Sequence, residues 1–166
     1  MGALYVALKK AREGEELFRS TAGWGVGPGG AVRKLFTPEA RRLFSGIYSN
    51  LLASAGATGA RMVLVCSASE GEGATTVAAG LAIAAAEKRA GQVLLIDGNC
   101  HSPRVCKMFG VSEQNGLGDL WAGSAVANNV VKKTTILDLS VMGSGVIAGD
   151  HIRSLAPPKF RELVER

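Results

Sequence analysis

Apolar residues recur at Leu4, Leu8, Ala11 and Leu17-Phe18 with charged residues between them, a helical spacing that predicts an amphipathic helix within residues 1–22. The stretch 23–36, which opens GWGVGPGG, has no periodicity, and its glycines predict a flexible linker. Thr37-Pro38-Glu39 then carries a helix start signal, with Thr37 as N-cap and Pro38 at the first helical position, and the helix is expected to run to about Ser54. MVLVC at 62–66 is an unbroken apolar run that predicts a strand buried on both faces in a parallel sheet. From Thr75 to Arg89 the pattern is helical and apolar on nearly every side up to Ala86, so this helix must be buried, with Gly91 as its C-cap. VLLI at 93–96 gives a second buried strand ending at Asp97. Short helices are expected near 104–109 and 117–122, a third strand at 137–142, and a terminal helix from about 157. Strand, loop, buried helix and strand in this order form a βαβ unit, which makes the expected class α/β.

The chain's 166 residues fit one domain, taken as 37–166 behind the helix and linker. At 47% hydrophobic and 20% charged it has material for a core, and its Ala and Gly content suits helices packed closely on a sheet. The net charge of +5 is uneven, because residues 1–50 carry eight Lys/Arg against four Glu. That arm is read as a solvated basic segment, with attraction to an acidic surface as the sharper alternative. No interleaving of basic and aromatic residues points to nucleic acid. No apolar run is long enough to span a bilayer. Cys66 reads as a small core residue, and Cys100, His101 and Cys106 do not have a common zinc spacing.

The chemistry concentrates in Ser67-Ala-Ser-Glu-Gly-Glu-Gly-Ala-Thr-Thr76 between the first strand and the buried helix. A P-loop uses such a strand–glycine loop–helix to aim backbone N–H groups at phosphates, with a Lys on the outer phosphates and a Ser/Thr on magnesium. Gly71, Glu72, Gly73, Ala74, Thr75 and Thr76 are the candidate nucleotide-binding residues, and Ala74 stands where the lysine belongs. Loss of that charge is expected to harm phosphoryl transfer more than binding. Glu70 and Glu72 add negative charge beside the loop. A dinucleotide fingerprint is the alternative, since Gly71 and Gly73 have G-x-G spacing and Asp97 ends the next strand, but Thr76 occupies the third glycine position. A ligand-free cap built of small residues is the remaining one.

SASEGEGATTVAAGLA resembles the S-x-x-P-G-E-G-K-T-T-x-x-x-N-L-A segment of the bacterial tyrosine kinases (BY-kinases) of capsule and exopolysaccharide systems. VLLIDGNCHSPRVCKMFG is similar to their second ATP motif, V-L-L-I-D-x-D-x-R-x-P followed by a helix ending in F-G. GLGDLWAG resembles their G-L-x-D-x-L-x-G, and LYVALKKAREGEE the opening of the free-standing cytosolic members. The wider group is that of the deviant P-loop proteins that include the MinD/ParA partition ATPases. The resemblance implies a P-loop three-layer α/β/α fold with a mainly parallel sheet. It implies ATP or ADP with Mg as cofactors, Thr75 and Asp97 at the metal, and Asp97 as the catalytic acid of any active form. It further implies a membrane-anchored polysaccharide co-polymerase as partner, homo-oligomers, and a cytoplasmic protein held at the inner membrane through that partner. This sequence departs at Glu70, Ala74, Gly80, Asn99 and His101, and Ser45 ends the oligomerisation pattern that begins with Glu39 and Arg42. The family's D-T-P-P strand and tyrosine tail have no counterpart here, where the tyrosines are Tyr5 and Tyr48. The expected protein is therefore a C-terminally short, degenerate kinase with an open sheet edge.

Overall fold

The computed structural model describes residues 3–8, 32, 37–54, 61–88 and 91–145. Among these, five strands form one sheet: β1 (Ala3–Leu8), β2 (Arg61–Cys66), β3 (Val93–Asp97), β4 (Val131–Lys133) and β5 (Leu139–Met142). The helices are α1 (Pro38–Ser54), α2 (Ala74–Glu87), α3 (Val105–Phe109), α4 (Leu117–Ala122) and α5 (Ala127–Val130). The spatial order of the strands is β2-β1-β3-β5-β4. β3 and β5 pair in parallel, and β1 lies antiparallel to both β2 and β3, so β2, β3 and β5 all point the same way. β4 closes the other edge antiparallel to β5.

The α/β class follows from where the apolar faces go. Val93 and Leu95 of β3 and Leu139 and Val141 of β5 face α2, which is buried from Ala78 to Ala86. α1 packs on the outer side of α2 through Phe44 and Tyr48. Gly80 permits this approach, because a Cβ there would meet the Phe44 ring at 2.5 Å. On the opposite sheet face Ile96 and Met142 pack with Leu117 of α4 and Val130 of α5. Helices thus cover both faces, giving three layers. α1 starts as its sequence dictates, with the Thr37 hydroxyl accepting the Ala40 N–H at 3.3 Å.

Several expectations are corrected. Residues 3–8 form strand β1 rather than the start of a helix; the remainder of the expected 1–22 helix lies outside the described residues. Ala3–Leu8 is an unbroken apolar run, and the slot between β2 and β3 offers it backbone partners on both sides, which outweighs a helical spacing. The 23–36 linker also lies outside the described residues, except Val32, which packs against the core. β2 is not buried on both faces: it is an edge strand, and Met62, Leu64 and Cys66 are exposed. Cys66 is consequently not a core residue. The C-cap of α2 is Lys88, not Gly91, whose φ of +97° instead places it in the turn into β3. The terminal helix expected from about 157 lies outside the described residues. α5 and β4 were not expected from the sequence; each is too short, at four and three residues, to carry a periodic signal.

Candidate functional site

β2 and β3 are neighbours once removed, since β1 lies between them. Strand spacing places them about 10 Å apart. Their C-terminal ends, Cys66 and Asp97, lie at the same edge of the sheet, as the pairing of Ala3 with Cys66 and Leu4 with Asp97 shows. The loops that leave them, 67–73 and 98–104, become the two walls of a crevice. A cavity of about 280 Å³ lies there. One wall is the loop Ser67–Gly71 with Gly73, Ala74, Thr75 and Thr76; the other is Asn99, His101, Ser102 and Arg104, with Met108 behind.

The first wall has the backbone a phosphate cradle needs. Gly71 and Gly73 hold φ of +85° and +89°, in the left-handed region that side-chain-bearing residues rarely adopt. No atom lies within 4 Å of a Cβ built at either, so their faces are open. Gly73 is the N-cap of α2 and no side chain caps that end. The first-turn N–H groups of α2 therefore lack intrahelical acceptors and face the crevice with the positive end of the helix dipole. Glu72 bonds within the loop itself. Its Oε2 accepts the N–H groups of Ala68 at 3.0 Å and Ser69 at 3.1 Å, and it is not among the residues lining the cavity. Its carboxylate thus braces the loop, while Glu70 contributes to the lining.

The second wall hangs on Asp97, which is 1% exposed. Its Oδ1 accepts the Asn99 N–H at 3.0 Å, and its Oδ2 accepts the N–H groups of Arg104 at 2.8 Å and Val105 at 3.0 Å. Those last two bonds cap α3, whose N-cap Arg104 has no side-chain cap of its own. Asn99 Oδ1 in turn accepts from the N–H groups of His101 and Ser102, both at 3.2 Å. Asp97 therefore shapes this wall from behind and is not part of the cavity lining. Burial is the first cause that pushes the Cys106 thiol up to about 11, with the carboxylates of Asp97 and Glu113 adding to it and Lys132 opposing. Burial and then Asp97 also raise Cys100. Both are protonated thiols at neutral pH, and no cluster of His, Cys, Asp or Glu suited to a metal occurs among the described residues.

The structure brings Gly71, Gly73, Ala74, Thr75 and Thr76 together at the cavity, and leaves Glu72 and Asp97 in bracing positions beside it. A phosphate group fits the open glycine cradle. For magnesium, Thr75 is the oxygen donor of the expected pair that reaches the lining. Sequence reasoning missed the lining roles of Ser102, Arg104 and Met108; Arg104 follows Pro103 in an exposed loop, and nothing in the sequence places it across from Ala74.

No protein-family model matches the chain, and no curated protein matches it. Solved structures do. The chimerical protein CapA2B2 superposes with a TM-score of 0.64 at 26% identity, over 76% of this chain and 55% of that one. The VpsO kinase domain superposes with a TM-score of 0.50 at 30% identity, over 58% of this chain and 47% of that one. The likeness thus extends to a kinase domain. The chain spans about half the length of the structures it matches. No helix among the described residues is long and apolar enough to cross a membrane.

Proposed function

We propose that the chain is a degenerate tyrosine-kinase-like P-loop protein of capsule or exopolysaccharide production, with ATP or ADP as its ligand and weak or no phosphoryl transfer. Its role is regulatory, through a membrane-anchored polysaccharide co-polymerase that holds it at the cytoplasmic face. The observation that carries this reading is the cavity at the Gly71–Gly73 cradle, with Ala74 where a P-loop places its lysine. Similarity to the VpsO kinase domain and the CapA2B2 chimera supports the kinase-like part. Two further features support weak catalysis. Both Asp97 oxygens already accept backbone N–H groups. Tyr48 is only 3% exposed, so it cannot enter another chain's active site without unfolding α1 locally. When bound, a magnesium nucleotide supplies the transferable phosphoryl group, and this chain contributes backbone N–H donors and the Thr75 hydroxyl.

Calorimetric titration with Mg-ATP and Mg-ADP, alongside incubation with labelled ATP, tests the reading. Binding in the micromolar to millimolar range without accumulation of phosphotyrosine is expected. Efficient autophosphorylation would replace it with an active kinase, and absence of all nucleotide binding would remove the P-loop function.

A further inference from the structure

The charge missing at position 74 has a replacement on the opposite wall. Resting on the nucleotide-site reading above, we propose that Arg104 is the phosphate-binding cation of this cavity. Arg104 is the one Lys or Arg among the described residues that line it. Its side chain is exposed, and the ion pairs among the described residues, Arg41–Glu87 and Arg42–Glu39, do not involve it. Its backbone is fixed: the N–H is held at 2.8 Å by the buried Asp97 carboxylate, and the next N–H, of Val105, is held at 3.0 Å by the same oxygen. Arg104 thus stands at an anchored point on one wall of a crevice whose other wall includes the first turn of α2, at Ala74, Thr75 and Thr76.

The two walls are complementary in what they offer an anion. The glycine loop and α2 supply backbone N–H groups and a helix dipole, but no side-chain cation. Arg104 supplies a planar fork of donors that can engage two phosphate oxygens at once. Glu70, the acidic residue of the lining, opposes an anion, and a cation on the second wall offsets it. The ligand class is that of the proposed nucleotide site, a nucleoside di- or triphosphate, with one phosphate on the glycine cradle and a further one taken by Arg104. The arrangement also assigns Asp97 a positioning role, since its carboxylate sets where Arg104 emerges.

The test is titration of the whole chain with Mg-ATP, Mg-ADP and AMP for the native protein and for Arg104→Ala, Arg104→Lys, Arg42→Ala and the pair Ala74→Lys/Arg104→Ala, with a thermal midpoint for each. Arg104→Ala is expected to weaken ATP and ADP binding by roughly tenfold to a hundredfold, the range of a charge-assisted contact, and to leave AMP nearly unchanged. Arg104→Lys should fall between, Arg42→Ala should match the native chain, and Ala74→Lys should restore binding to Arg104→Ala. Native-like ATP binding by Arg104→Ala overturns this proposal and leaves the nucleotide site standing. A native chain that binds no nucleotide overturns both. Equal loss in Arg104→Ala and Arg104→Lys with lowered thermal midpoints assigns the residue a structural role and also overturns it.

Discussion

Ala74 lines the cavity at the first turn of α2, so a lysine introduced there enters the cavity without displacing core residues. Ala74→Lys is expected to tighten ATP binding by about tenfold or more, since it adds a charged phosphate contact, and calorimetry reads this directly. Glu72 acts on the same loop from within. Glu72→Ala leaves the N–H groups of Ala68 and Ser69 without their acceptor, which should lower stability by about 1 kcal/mol and slacken nucleotide binding, as read by urea titration and calorimetry. The cysteines differ by their surroundings. Cys66 is exposed and Cys106 buried, so an alkylating reagent followed by peptide mass spectrometry should modify Cys66 well before Cys106. Cys106 also imposes a pH dependence. Its thiol ionises at an ordinary 9.0 when unfolded and at about 11 when folded, so the folded state retains a proton that the unfolded state releases. Stability is therefore expected to fall as pH rises from about 9 to 11, and Cys106→Ala should flatten that limb of the unfolding curve.

Between α1 and α2 the contact of Phe44 with Gly80 sets the distance. Gly80→Ala should cost about 1–3 kcal/mol by overpacking, although alanine is the better helix former. Phe44→Ala should cost about 3–5 kcal/mol by the cavity it leaves. The double variant should cost less than the sum, because the new methyl group enters the space the ring vacated; denaturant unfolding of the four proteins measures this coupling. These elements were legible in the sequence because their signals are local. Thr37-Pro38 marks the start of α1, the alanine-rich run of α2 permits only burial, and Gly71 and Gly73 declare a turn needing positive φ. The exposure of Cys66 was not legible, since a strand of five apolar residues does not reveal whether anything covers its second face. The bracing positions of Glu72 and Asp97 escaped for a related reason. A carboxylate beside a phosphate loop and one bonded into the loop's own backbone have the same sequence.

At the scale of the whole molecule, β1 joins two parts of the sheet that otherwise do not touch edge to edge. Ala3–Leu8 was not read as a strand because its partners lie far along the chain, and the apolar positions that continue at Ala11 and Leu17-Phe18 carry a helical spacing past its own unbroken apolar run. Removing residues 3–8 should open one edge on β2 and one on β3, and the shortened chain is expected to aggregate or lose cooperative unfolding, as followed by light scattering and circular dichroism. The antiparallel placement of β1 also orders events during synthesis. The strand leaves the ribosome before either neighbour, and its pairing of Leu4 with Asp97 has to wait until β3 has been made. At ordinary elongation rates that wait is roughly 5–20 seconds, during which β2, made first, is the one neighbour with which β1 can pair. A strand that precedes both of its neighbours in the sequence thus completes the sheet between them, and its second side is satisfied only when β3 arrives rather than by growth outward from β1.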